Sequence, residues 1–234
     1  RDRSSNFPLE VESLPDVGSA YDPSIETLVS AKPDLVLIEA ITQARLASDL
    51  EQANLKVMAV KSETIDDINN YIIKVGKIIG KGNVASGKVS EIENRLAEAG
   101  KADGRSVLIL ISDQDRNLYA ARPESYTGLI ATTLGLINKA EGLPDSGPFP
   151  GFSLMSPEAI LVANPDVLIT ITPAPEPAPR LSKTIPQIPP FASLRAVQNM
   201  SIFEADAALF LQAPGPRIVE AVESLKRGLE FNDS

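Results

Sequence analysis

The amino-acid sequence predicts an α/β protein of two Rossmann-like lobes, and three observations carry that prediction. A segment recurs: 24–38 reads SIETLVSAKPDLVLI and 156–170 reads SPEAILVANPDVLIT, aligned without gaps at an offset of 132. Four apolar runs of strand length, LVLI (35–38), VMAV (57–60), VLILI (107–111) and VLITI (167–171), read as buried parallel strands. Between the two pairs lies a helical middle with no proline from 34 to 122, whereas 14 of the 19 prolines fall between 144 and 216.

Each element has a local reason. In both copies of the repeat a serine, Ser24 or Ser156, stands where it can cap a short helix. The Pro-Asp pairs 33–34 and 165–166 end those helices, since proline lacks an N–H and disfavours helix in the residue before it. In the middle, apolar residues at 65, 68, 72, 75 and 79 form a helical stripe that starts at a capping box of Thr64 and Asp67. Gly80 and Gly82 break it, and a second stripe at 85, 89, 92, 96 and 99 stops at Gly100. A last helix begins at the PGPR run, with Pro216 in its first turn and Ile218, Val222, Leu225 and Leu229 on one face. The expected division is an N-terminal lobe at 1–82, a connecting helix at 83–100 and a C-terminal lobe at 101–234. A cleft between two lobes is a natural ligand site.

Composition removes whole classes of chemistry. With no His and no Cys there is no Ser-His-Asp or Cys-His system, no disulfide and no N/S-ligated metal site. A net charge of −9 from 22 basic and 31 acidic residues argues against nucleic acid and anionic membrane as partners. No apolar run approaches the ~20 residues of a membrane span. Glu26 and Glu158, equivalent residues of the two copies, lie in first helical turns, where a carboxylate meets unpaired N–H groups and the positive end of the helix dipole. The same equivalence suits a matched pair of docking points for a two-fold symmetric partner.

On these residues the chain resembles the periplasmic substrate-binding proteins of ABC importers for ferric siderophores, haem and cobalamin. The matching segments are LPDVGS (14–19), the two repeat copies, the helical connector, and PFASLRAVQNMSIFEAD leading into APGPRIVEAVESL. The resemblance implies no enzyme activity and no cofactor. It implies two lobes bridged by a rigid helix that allows only modest closure, with Glu26 and Glu158 contacting arginines of a permease dimer driven by its ATPase. It also implies a monomer in the periplasm or outside the cell, lipid-anchored in some members. Members of the family normally have a strand, a ligand-facing loop and a helix ahead of the segment matching RDRSSNFP. Roughly 40 to 50 residues are therefore expected to be missing from the first lobe, judged by lobe size.

Ligand residues are expected at the C-terminal ends of strands: Tyr21 and Asp22, Glu39, the 119–126 stretch with Tyr119, Arg122 and Tyr126, Arg180, and the 203–210 stretch. Tyrosine and arginine suit a ferric siderophore, whose anionic or carbonyl oxygens and flat rings they can pair with or stack on. Cobalamin is the alternative. Haem-binding relatives often place a ligating tyrosine directly after the glycine of the LPxVG segment, where this chain has Ser19, and free zinc or manganese transport in related proteins relies on His. Two motifs compete with these readings. GNVASGKV (82–89) nearly spells a phosphate loop but has Val89 in place of the magnesium-binding Ser or Thr. Asp113, Asp115, Asn117 and Glu124 have calcium-loop spacing with Leu118 in place of the required glycine, so a polar hairpin turn is expected. From other classes, a sensory module of the same fold and a carboxylate enzyme using Glu39 and Asp206 are the competing readings.

Overall fold

The computed structural model of the chain describes residues 1–20, 22–102, 104–212 and 214–231, the last without its side chain. They form two compact units, Arg1–Ser62 and Glu63–Ser234.

The first unit leads from a 3-10 turn at Leu9–Ser13 into α1 (Ile25–Ala31), β1 (Val36–Glu39), α2 (Leu46–Gln52) and β2 (Val57–Val60). The strands pair parallel, Val36 opposite Val57 and Glu39 opposite Val60, with α2 as the crossover that a parallel pair requires. One face is covered: Ile38, Leu46 and Leu50 are buried together, with Ile25 and Leu28 against them. Leu37 points to the other face and is 47 % exposed, so the LVLI run is not buried throughout as its composition suggests.

The second unit begins with α3 (Ile65–Ile78) and α4 (Gly82–Ala99), which pack as a hairpin. The Thr64–Asp67 capping box forms in both directions, and Gly100 ends α4 at a positive φ of 68°. Residues 82–89 are the first turns of α4, not a phosphate loop. Ile68 is buried in the main core of this unit, with Ile65 and Ile72 packed against it. The boundary between units therefore precedes α3, a helix that the sequence reading assigns to the first lobe.

The chain continues through β3 (Ser106–Ser112), β4 (Leu118–Ala121), α5 (Tyr126–Thr133), β5 (Ile137–Asn138), β6 (Phe152–Met155), α6 (Pro157–Ala163) and β7 (Val167–Ile171). After the short α7 (Leu181–Thr184) and α8 (Arg195–Gln198) come β8 (Ile202–Ala205), α9 (Ala207–Phe210) and α10 (Ile218–Phe231). The strand order is β6-β4-β3-β7-β8, with β5 also on β3. β3, β5, β7 and β8 are parallel, whereas β4 pairs antiparallel with β3 and β6. The sheet is mixed: β3 and β7 run parallel, as their apolar runs predict, while the short polar turn at 113–117 can only return β4 antiparallel. Asp113 closes that turn: its carboxylate accepts from the Asn117 N–H at 2.8 Å, the Asn117 amide at 2.8 Å and the Tyr119 hydroxyl at 2.9 Å. The calcium spacing is thus a hairpin, and among the described residues no acidic cluster could hold a metal ion.

Why the 107–111 run of β3 is apolar at every position is visible in the packing. Val107, Ile109 and Ile111 enter one core cluster with α5 and α10, and Leu108 and Leu110 enter another with α6 and α7. Both faces are covered, so strand alternation gives no polar face. Of α10's expected stripe, Ile218, Val222, Leu225 and Leu229 are all buried, although the helix starts after Pro216 rather than at it.

The repeat is structural. α1 and α6 are both seven residues long and sit at the sequence offset of 132; Ser24 accepts from the Thr27 N–H, Ser156 from the Ala159 N–H, and Lys32 and Asn164 end the helices in the left-handed region. In the second copy Asp166 does more than turn the chain. Its Oδ2 accepts from the Ser106 N–H at 2.9 Å and hydroxyl at 2.6 Å, and Oδ1 pairs with Arg195. The Ser106 bonds, with a smaller contribution from Arg195, hold its carboxyl below the usual carboxylate range. Asp166→Ala should therefore cost roughly 1–3 kcal/mol at pH 7. A folded-state value below the unfolded ~3.9 means that the stabilisation is complete above that pH and is lost as pH falls through the folded value. Urea unfolding of both proteins at pH 7 and pH 3 should show the gap shrinking; an equal gap would refute the role of the ionised form.

Candidate functional site

Open parallel α/β sheets bind ligands beyond the C-terminal ends of their strands. In the second unit a cavity of about 420 Å³ lies there, past β7 and β8, lined among others by Thr172, Pro173, Arg180, Glu204, Asp206 and Gln212. Its polar groups are held in place. Glu204, at the end of β8, accepts from the hydroxyls of Thr170 at 2.8 Å and Thr172 at 2.6 Å and from the Ser182 N–H at 2.9 Å. Burial alone would raise its pKa, but these bonds outweigh burial and keep it below the usual range, so Glu204 is a carboxylate. Asp206 caps α9 by accepting from the Leu209 N–H at 2.9 Å. Arg180 donates to the Ala174 carbonyl at 3.1 Å and to Glu176 at 3.3 Å, which fixes its guanidinium at the cavity wall.

Of the sequence-predicted ligand residues, the structure brings Arg180 to this cavity together with 204–208 from the predicted 203–210 stretch. The others lie outside its lining. Tyr119 is a β4 residue, 4 % exposed, whose ring meets Phe149 edge-on at 5.0 Å and whose hydroxyl serves Asp113. Arg122 sits between Glu124, at 3.2 Å, and Asp145, at 3.8 Å, with its Nε buried and without a hydrogen-bond partner. Tyr126 opens α5, and burial pushes its hydroxyl pKa up. These three are near in sequence, but each is engaged with different neighbours. In the first unit, Glu39 closes the turn after β1: its Oε2 accepts from the N–H groups of Ile41 and Thr42 at 2.9 and 2.7 Å and from the Thr42 hydroxyl at 2.9 Å. Gln43 of the same turn donates to the Ala20 carbonyl at 2.7 Å, tying the residue that follows LPDVGS to the turn after β1. Tyr21 lies outside the described residues.

Sequence reasoning did not single out Thr172 and Glu204. The signal was present in the polar residues that interrupt apolar strands: Thr170 within VLITI and Glu204 within SIFEAD pair across β7 and β8.

Glu26 and Glu158 are the second residues of α1 and α6, and both are exposed. Glu158 is held below the usual carboxylate range by its own backbone N–H and the Ser156 hydroxyl. Among the described residues neither carboxylate forms an ion pair.

An α/β chain with a repeated helix–turn–strand unit and a polar cavity beyond its strand ends has the architecture of a solute-binding protein. The chain belongs to the periplasmic binding protein family, whose model matches residues 2–209; these are substrate-binding components of ABC transport, not enzymes. It is 23 % identical over 239 residues to the uncharacterized ABC transporter substrate-binding lipoprotein YvrC of Bacillus subtilis, spanning 97 % of this chain and 71 % of the relative. It is 23 % identical over 203 residues to the Fe(3+) dicitrate-binding periplasmic protein FecB of Escherichia coli, which covers 85 % of this chain and 64 % of that protein. The solved periplasmic heme-binding protein RhuT from Roseiflexus sp. RS-1 superposes with a TM-score of 0.81 at 22 % identity, covering 100 % of this chain and 89 % of that one. Among the described residues no helix is long and apolar enough to cross a membrane.

Proposed function

We propose that the protein is the substrate-binding component of an ABC importer, captures a ferric siderophore and delivers it to a membrane permease. The observation that carries this reading is the cavity beyond β7 and β8 with Arg180 fixed in its wall. A guanidinium held by two bonds still has N–H groups for the carbonyl and hydroxamate oxygens of an iron chelate. Among the described residues the lining has no aromatic side chain, which fits an oxygen-rich chelate better than the flat apolar face of haem or the corrin of cobalamin. Similarity to the ferric dicitrate-binding protein points the same way. Glu26 and Glu158 act as permease contacts, one from each copy of the repeat. The protein works as a monomer outside the cytoplasmic membrane, tethered by a lipid as the name of YvrC records for that relative.

Titration with ferric hydroxamate and catecholate siderophores, haem and cobalamin, followed by tyrosine fluorescence because the chain has no Trp, tests this. Saturable quenching by an iron chelate, with a raised melting temperature, is expected. Tighter binding of haem or cobalamin would replace the ligand, and no response to any of them would sink the reading.

A further inference from the structure

The charge inside the cavity has a sign. Its lining carries two carboxylates, Glu204 and Asp206, and one cation, Arg180. Arg180 is already paired with Glu176. Arg217, whose guanidinium feels Asp206, is held on both sides by Glu220, at 2.7 to 3.2 Å. Each arginine near the cavity thus has its own glutamate, whereas among the described residues no lysine or arginine forms an ion pair with Glu204 or Asp206. Glu204 is stabilised as an anion by the dipoles of Thr170, Thr172 and Ser182, which satisfy the carboxylate without cancelling its charge. Even the hydroxyl of Thr172 is committed, donating to Glu204 and accepting from the Leu181 N–H at 2.8 Å, so it offers no proton to an anionic ligand.

We infer that this cavity selects a cationic iron chelate, one with a pendant ammonium such as an amine-bearing hydroxamate complex, and discriminates against polyanionic tris-catecholate complexes. The inference rests on the proposed function and narrows its ligand. A ferric ion balanced by three hydroxamates is neutral, and a terminal amine makes the complex cationic; catecholate dianions in the same number leave it strongly anionic. Two carboxylates with no ion-pair partner among the described residues attract the first and repel the second. Arg180 serves the neutral hydroxamate oxygens, and Glu204 and Asp206 serve the ammonium.

The test isolates charge from shape. The whole chain is titrated with ferric desferrioxamine B, with its N-acetylated form, which lacks only the ammonium charge, and with a ferric tris-catecholate. The cationic chelate should bind roughly tenfold tighter than its acetylated form, as one partly screened ion pair allows, and the tris-catecholate weakest. Asp206→Asn, which retains a helix-capping side chain, should reduce the preference for the ammonium form several-fold; Glu204→Gln should do the same, with circular dichroism and melting confirming the fold. Equal affinity for the two hydroxamate forms, or tightest binding of the tris-catecholate, would overturn the charge selection while leaving siderophore capture standing. No binding of any iron chelate would overturn both.

Discussion

Gly128→Ala should destabilise the protein by roughly 3 kcal/mol or more, although the same change in an ordinary helix stabilises by up to ~1 kcal/mol. Gly128 lies in α5, just past its Ser125 cap, and a Cβ there would stand 1.9 Å from the Arg122 carbonyl oxygen, 2.7 Å from its carbon and 2.8 Å from the Pro123 Cα. All three are backbone atoms, so no side-chain rotation relieves the overlap. The turn itself is fastened, since the Arg122 carbonyl accepts from both the N–H of Ser125, at 3.0 Å, and its hydroxyl, at 2.7 Å. The helix must therefore move away from the 122–123 turn, disturbing the packing of Ile130 and Ala131, which are fully buried. Gly87 in α4 is the control: a Cβ there meets nothing within 4 Å, and Gly87→Ala should stabilise. Urea unfolding of both variants decides between sterics and propensity. A neutral or stabilising Gly128→Ala would show that the close approach of α5 to the 122–123 backbone is wrong.

Reversing Glu26 and Glu158 together to lysine should abolish stimulation of the permease-bound ATPase in reconstituted vesicles, while leaving ligand affinity within about twofold and the melting temperature little changed. The stability cost is small because each carboxylate is exposed and interacts chiefly with the N-terminal dipole of its own short helix, an effect screened by solvent and salt. The docking cost is large because a lysine set against an arginine turns attraction into repulsion at both contacts at once. Single reversals should be intermediate, and raising the salt concentration should weaken stimulation by the unaltered protein. Full stimulation by the double variant would refute the docking role; loss of ligand binding as well would assign the two glutamates to another function.

Much of the fold was legible in the sequence because its signals are local. Ser24, Ser156, Thr64 and Gly100 punctuate helices through bonds that reach three or four residues, and these formed as read. β3 and β7 announced themselves because strands covered on both faces carry near-continuous apolar runs. β4, β6 and β8, with four residues each, gave no such signal: LYAA, FSLM and IFEA mix polar and apolar residues without a readable period. The parallel pairing of β3 with β7 was therefore legible, whereas the antiparallel strands β4 and β6 were not.

The candidate site was less legible than the fold, since proximity along the chain is not proximity of function. Tyr119, Arg122 and Tyr126 read as a cluster, yet Asp113 and Phe149 hold the first, Glu124 and Asp145 the second, and the third is buried at the start of α5. The sequence by itself determined the repeated helix–turn–strand unit, the helical middle, the exclusion of His and Cys chemistry and the equivalence of Glu26 and Glu158, because all of these follow from residue type and spacing. Only the tertiary structure decided which carboxylates are neutralised and which face the cavity. Ion pairing depends on distances of a few ångströms between residues far apart in sequence, and it is the meeting of β7, β8 and the 172–182 loop that places Arg180, Glu204 and Asp206 around one space.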